Sequence, residues 1–176
     1  MHISYYDGSN GDLKYATDTS GLWVTSKISP SAGDVGQYSS IAVDSNNNAH
    51  ISYYDVTNQY LKYITNVPGS WLMSYVDLDG GGKYTSIAVD STNNAHISYY
   101  DDTNGDLKYA ANTSGSWVAS TVDSAGDVGQ YSSIAVDSGD NIHIGYHDYT
   151  NGAVRYAANT SGSWVTERSV TARMFQ

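Results

Sequence analysis

Ser40-Ile41-Ala42-Val43-Asp44-Ser45, Asn46-Asn47-Asn48-Ala49 and His50-Ile51-Ser52-Tyr53-Tyr54-Asp55 follow one another without interruption. The first segment alternates small and β-branched residues, as a crowded, buried strand does. The second is a polar turn, and the third reads as a second strand. The unit returns from Ser86-Ile87-Ala88-Val89-Asp90 to His96-Ile97-Ser98-Tyr99-Tyr100-Asp101, and from Ser133-Ile134-Ala135-Val136-Asp137 to His143-Ile144-Gly145-Tyr146-His147-Asp148. Met1-His2-Ile3-Ser4-Tyr5-Tyr6-Asp7 is its second half alone. His2, His50, His96 and His143 therefore mark a period of roughly 47 residues, within the range of propeller blades.

Two further strand candidates complete each repeat. One is Leu13-Lys14-Tyr15-Ala16 and its copies at Leu61, Leu107 and Val154; the other opens at Trp23, Trp71, Trp117 or Trp164. Asn10-Gly11, Asn104-Gly105 and Asn151-Gly152 separate the second and third strands, and Asn-Gly supplies the positive φ angles of a tight hairpin. The longest connection, Ser31 to Ser39, joins the fourth strand to the next first strand and recurs from Ser124 to Ser132.

A four-stranded unit of this size cannot cover both of its faces alone, and radial stacking covers them with neighbours. The expected fold is all-β: a propeller of four four-stranded repeats, about 1–38, 39–84, 85–131 and 132–176, forming one domain over 1–176. The first repeat lacks its first strand, and the tail Ser169–Gln176 holds no Ser-Ile-Ala-Val-Asp equivalent. The ring is expected to close alone or by self-association, a homodimer completing the ring, since an open arc exposes an apolar face and a strand edge.

The paired strands Ile-Ala-Val-Asp-Ser and His-Ile-Ser-Tyr-Tyr-Asp resemble those of bacterial sialidase-like and NHL-like propeller repeats. Asn112-Thr113-Ser114-Gly115-Ser116-Trp117 is similar to a degenerate Asp-box, a motif that also lies between third and fourth strands and ends in an aromatic residue. The Asp is missing in most copies, and the Gly-to-Trp spacing is one residue short. The resemblance implies a propeller and says little of activity, because propellers host many functions. A sialidase-type site needs an arginine cluster, a tyrosine–glutamate pair and an acid/base Asp. Here the arginines are Arg155, Arg168 and Arg173, all near the end, and the single Glu is Glu167, so no residue of that set carries across.

The net charge of -10 argues against nucleic acid and anionic membrane surfaces, and no apolar run approaches the ~20 residues of a membrane helix. Cysteine is absent, which excludes disulfides, thiol nucleophiles and cysteine–metal sites. The composition, poor in Lys and rich in Tyr, Ser, Thr, Asn and Gly, resembles that of exported bacterial β-proteins; the expected location is extracellular or at the cell surface, with no signal peptide in this chain. The histidines, one layer out from the hub, are expected to pack and hydrogen-bond rather than share an ion, and no metal or cofactor is expected.

Propeller geometry puts the fourth-to-first connections on the same face as the second-to-third hairpins. Asp34, Gln37 and Tyr38 then lie near the hairpin of an adjoining blade, and Asp127, Gln130 and Tyr131 repeat the arrangement. Carboxylates and amides for hydroxyl groups, with a ring for a C–H face, suit a sugar. Asp55, Asp101 and Asn104 are added to this ligand-binding set as part of a polar rim. The expected function is a non-enzymatic binding module with repeated shallow sites for carbohydrate or glycoprotein, like a lectin. The alternatives are a protein-interaction scaffold without a small ligand and a fragment of a sialidase-like hydrolase.

Overall fold

The computed structural model describes residues 1–18, 21–30, 32–67 and 69–168. Fifteen strands follow in chain order: β1 (His2–Asp7), β2 (Asp12–Thr17), β3 (Val24–Lys27), β4 (Val35–Val43), β5 (Ala49–Asp55), β6 (Tyr60–Thr65), β7 (Leu72–Asp77), β8 (Gly81–Val89), β9 (Ala95–Asp101), β10 (Asp106–Ala111), β11 (Val118–Asp123), β12 (Val128–Val136), β13 (Ile142–Asp148), β14 (Ala153–Ala158) and β15 (Val165–Arg168). They form one three-stranded and three four-stranded antiparallel meanders, each in sequence order. The architecture is a β-propeller arc of four blades, here A to D. The first strands β4, β8 and β12 contact one another in succession, and β1 lies against β4, so the hub runs along them. The tail 169–176, read above as lacking a first-strand equivalent, lies outside the described residues.

The hydrophobic core is divided among the three junctions between blades. Leu13 and Tyr15 of blade A pack with Val35, Ile51 and Tyr53 of blade B. Leu61 and Tyr63 of B pack with Ile87, Ile97 and Tyr99 of C. Leu107 of C packs with Val128, Ile134, Ile144 and Tyr146 of D. A ring contact is repeated at each junction: Tyr15–Trp71, Tyr63–Trp117 and Tyr109–Trp164 meet edge-on at 4.9, 5.0 and 5.0 Å between centroids. Trp71, Trp117 and Trp164, which open three of the fourth strands, are thus wedges between blades.

Two sequence expectations change in detail. The second-to-third hairpins are four-residue loops, not two-residue Asn-Gly turns, because Asp7 pairs with Asp12 and Asp101 with Asp106. Only the last loop residue is left-handed: Gly11, Gly105 and Gly152, with Gln59 taking that role at φ 61° in blade B. The first strands also begin earlier than the repeat boundaries, at Val35, Gly81 and Val128, because register shifts extend each pairing through what looked like a connection.

The repeated histidines are structural. His50 shares hydrogen bonds with the Tyr63 hydroxyl at 2.5 Å and with Asp44 at 3.3 Å. His96 does the same with Tyr109 at 2.6 Å and Asp90 at 3.0 Å. Asp44 also caps its own turn, accepting from the N–H groups of Asn46 and Asn48 at 2.9 and 2.8 Å.

Burial pushes the titrations of Asp44, Asp55 and Asp77 upward. Their hydrogen bonds outweigh it: from Asn48 and His50, from Lys62 and Asn58, and from Lys108 and Tyr99, leaving each below the ordinary 3.8. A carboxylate whose folded pKa is depressed stabilises the native state above its unfolded pKa. That contribution disappears as pH falls through the folded value. The thermal midpoint is therefore expected to hold from neutrality to about pH 5 and to fall progressively below about pH 4. Calorimetry across that range checks this; a midpoint that rises on acidification would overturn it.

Candidate functional site

The site is built on the start of each first strand. In blade B, Val35 pairs with Asp55, Gln37 with Tyr54 and Ser40 with Ser52, so the strand bulges twice within six residues. Gly36 takes φ 107°, and a Cβ there would come within 2.7 Å of the Leu13 backbone. Tyr38 then turns left-handed at φ 54°. Tyr84 and Tyr131, each two residues after a glycine in the same register, adopt φ 51° and 53°. A left-handed conformation costs a side-chain-bearing residue about 1–2 kcal/mol, and glycine avoids it. All three blades place tyrosine there nevertheless.

This backbone turns three rings into a row beside the hub. Tyr38 and Tyr84 lie 4.8 Å apart between centroids, and Tyr84 and Tyr131 4.4 Å. Each also meets a ring on its own second strand: Tyr54 at 6.3 Å, Tyr100 at 6.1 Å and His147 at 6.4 Å. Tyr38 is 39% exposed and Tyr131 67%, with Tyr84 half-buried between them. Burial, helped by the neighbouring Tyr131, pushes the Tyr84 hydroxyl up to about 12. It therefore stays protonated at neutral pH.

Polar groups stand beside the row at each junction. Asp34 accepts hydrogen bonds from the Tyr6 hydroxyl at 2.8 Å and from the Gln37 amide at 3.3 Å. Asp127 accepts from Tyr100 at 2.8 Å and Gln130 at 3.3 Å. The Asp34 bond raises the Tyr6 titration; burial and then the Asp127 bond push Tyr100 up to about 12. At the middle junction Lys83 replaces the amide, pairing with Asp102 at 2.6 Å and lying 5.9 Å from the Tyr54 ring. The connections are clamped to the following blade: the Asp34 N–H donates to the Thr57 hydroxyl and that of Asp127 to Thr150, both at 2.8 Å.

Six of the nine expected ligand residues therefore come together on one face: Asp34, Gln37, Tyr38, Asp127, Gln130 and Tyr131. Asp55 and Asp101 do not join them, whereas Asn104 is exposed on the hairpin whose Gly105 lies against Asp127. Asp55 and Asp101 are 0% and 2% exposed. Their carboxylates close the hairpins, Asp55 accepting from Asn58 Nδ2 at 2.9 Å and Asp101 from Asn104 Nδ2 at 2.9 Å. A four-residue loop needs such an acceptor for its inward N–H groups, which is why Asp55 and Asp101 are buried rather than presented. Sequence reasoning passed over Tyr84, Tyr6, Tyr100 and the Lys83–Asp102 pair. The Gly-x-Tyr spacing shared by 36–38, 82–84 and 129–131 is the signal that marks Tyr84.

The opposite face carries two clefts of about 440 and 350 Å3, at the A/B and B/C junctions. Much of their polar lining is internally bonded: His50 with Tyr63 and Asp44, Asn66 with the Ala49 N–H at 2.7 Å, and Asn93 with Ser45. No group of three or more metal-ligating side chains occurs among the described residues. Among those residues no helix is long and apolar enough to cross a membrane.

No protein-family model and no curated protein matches the chain. Solved structures do. An ulvan lyase of polysaccharide lyase family PL25, bound to a GlcA–Rha3S unit, superposes with a TM-score of 0.64 at 15% identity, over 99% of this chain and 56% of that one. A mutant of the Aleuria aurantia lectin in complex with Fucα1-6GlcNAc gives 0.61 at 13% identity, over 97% and 62%. The intramolecular trans-sialidase of Ruminococcus gnavus gives 0.59 at 17%, over 84% and 36%. The chain thus spans between about a third and two thirds of these structures' lengths, and at these identities the likeness is one of fold.

Proposed function

We propose that the protein is a non-enzymatic, extracellular carbohydrate-binding module whose sites lie along the Tyr38–Tyr84–Tyr131 row. The observation that carries this reading is the left-handed backbone at all three tyrosines, a conformational cost repeated where exposed rings are gathered. Strain maintained in copy after copy points to use. Tyrosine faces stack on the C–H faces of sugar rings, while Asp34, Gln37, Lys83, Asp127 and Gln130 offer donors and acceptors to hydroxyl groups. Tyr84, pushed up to about 12, keeps its hydroxyl proton at neutral pH, while the Tyr100 hydroxyl is already given to Asp127. The lectin, lyase and trans-sialidase folds found among similar structures lend this reading general support. Several weak sites on one face would gain about 10²–10⁴ in avidity on a branched or repeating glycan.

Tyr131→Gly tests the reading and separates it from stability. Glycine relieves the left-handed strain while removing a ring that is mostly exposed, so the thermal midpoint is expected to stay within a few degrees of the parent. Glycan-array signal and titration-calorimetry affinity are expected to fall about two- to tenfold, as for loss of a stacking ring. Undiminished glycan binding by this variant would overturn the placement of the site. A parent chain that binds no glycan but captures a protein partner would favour an interaction scaffold instead.

A further inference from the structure

We propose that two copies of this chain associate head to tail, blade D of each against blade A of the other, to close one ring. The repeat makes the argument. Four blades have three internal junctions, and each covers the same positions, Tyr109 less fully than Tyr15 and Tyr63. Leu13, Leu61 and Leu107 are each 0% exposed beneath the next blade; Val154, their counterpart in D, is 61% exposed. Tyr15 and Tyr63 are 7% and 6% exposed against the next blade's tryptophan; Tyr156 is 38% exposed. On the other side, Ile51, Ile97 and Ile144 are each 0% exposed against the preceding blade, while Ile3 in A is 41% exposed. Trp71, Trp117 and Trp164 are half-buried, and Trp23 is 51% exposed.

The two end faces therefore correspond to the two sides of a fourth junction, with blade A's side lacking the first-strand residues that Val35, Ile87 and Val128 supply at the other three. A 280 Å3 recess beside Tyr156, lined by Ala158, Thr160 and Val165, is blade D's half of the inter-blade cleft. In the A/B cleft the corresponding wall is completed by Trp71. Trp23 of a second copy supplies that wall, and the cleft is incomplete without it. Two copies related by a two-fold axis along the hub satisfy both ends at once, giving a closed heterologous ring. The same rotation sets both tyrosine rows on one face. The inference does not rest on the sugar reading, since it concerns the end faces and not the row.

Sedimentation equilibrium of the purified chain is expected to give twice its 19.0 kDa mass. Trp23→Ala and Tyr156→Ala change exposed residues. Each is expected to keep the parent's circular dichroism while weakening self-association at least about tenfold, as for loss of an aromatic anchor; Tyr156→Ala also removes the hydroxyl that bonds His143 and lowers the thermal midpoint modestly. Mixing the two variants is the discriminating arm. One junction in the mixed pair then joins an intact Trp23 to an intact Tyr156, so the mixture is expected to associate more strongly than either variant alone. A monomeric parent, whether closed on itself or completed by other blades, overturns the proposal. So does a mixture no stronger than its components, or a ladder of ever larger species in place of a dimer.

Discussion

Gly129→Ala is expected to lower the thermal unfolding midpoint by about 6–20 °C. Gly129 sits at φ 106° where β12 crosses blade C, and an added Cβ would lie 2.7 Å from Leu107 Cα and 3.0 Å from its N. Both atoms are backbone of a strand paired on two sides, so the neighbour cannot rotate away as a side chain would. Left-handed strain and forced separation of the blades together cost about 3–5 kcal/mol. In a chain of this size each kcal/mol moves the midpoint by about 2–4 °C. Gly115→Ala is the control. It has φ 84° but nothing within 4 Å of its new Cβ, so only the backbone term of about 1–2 kcal/mol remains. Equal losses for the two variants would show that the close approach of blades is not what demands glycine at position 129.

Lys62→Ala is expected to cost about 3–5 kcal/mol, the penalty for breaking a buried ion pair by removing one partner. Lys62 pairs with Asp55 at 2.5 Å, with side chains 2% and 0% exposed. The matching pair in blade A, Lys14 with Asp7 at 2.7 Å, is 29% and 17% exposed, so Lys14→Ala is expected to cost at most about 1 kcal/mol. The position behaves differently again in blades C and D. Lys108 reaches back to Asp77 at 2.6 Å, and Arg155 to Asp123 at 2.7 Å, each tying its blade to the one before. Tyr99 and Tyr146 donate to the same carboxylates, both at 2.6 Å. At the A/B junction Ser29 stands in that place, and the buried Tyr53 hydroxyl has no hydrogen-bond partner.

Ser29→Asp should therefore act in the opposite direction. It gives the Tyr53 hydroxyl an acceptor and Lys62 a second carboxylate, for a gain of about 1 kcal/mol. In a Lys62→Ala background much of that gain should vanish, since the new carboxylate would be buried without its cation. Denaturant titrations of the four chains measure this coupling. A Ser29→Asp chain less stable than its parent would remove the account of the junction.

Much of the architecture was legible because each repeat carries its own local hydrogen-bonding instructions. Asp44, Asp90 and Asp137 cap their turns wherever they recur, and glycines 21, 69, 115 and 162 mark left-handed turns wherever they appear. The candidate site was legible only in part. Asp34 and Asp55 are both aspartates beside a turn, and composition gives no means of telling them apart. Asp55 pairs with a lysine inside its own sheet and lies under its hairpin, whereas Asp34 sits at the rim between two blades. Tyr84 is hard to read from the sequence because its connection runs Asp79-Gly80-Gly81-Gly82-Lys83 where the other copies run Gly-Asp-Val-Gly-Gln, although the bulge beneath is the same.

Read alone, the order of amino acids carries the repeat, its four strands, the places where turns join them and the propeller that such a unit must form. Those features depend on neighbours close along the chain and on one rule, that both faces of a sheet need cover. Tertiary structure alone decided which carboxylates face outward, that three tyrosines form one row, that Ser29 leaves a junction short of an acceptor, and that Val154, Tyr156, Ile3 and Trp23 are exposed while their counterparts are more deeply covered. Each depends on what the next blade places opposite a residue, and identical letters meet different neighbours at the middle and at the ends of an arc.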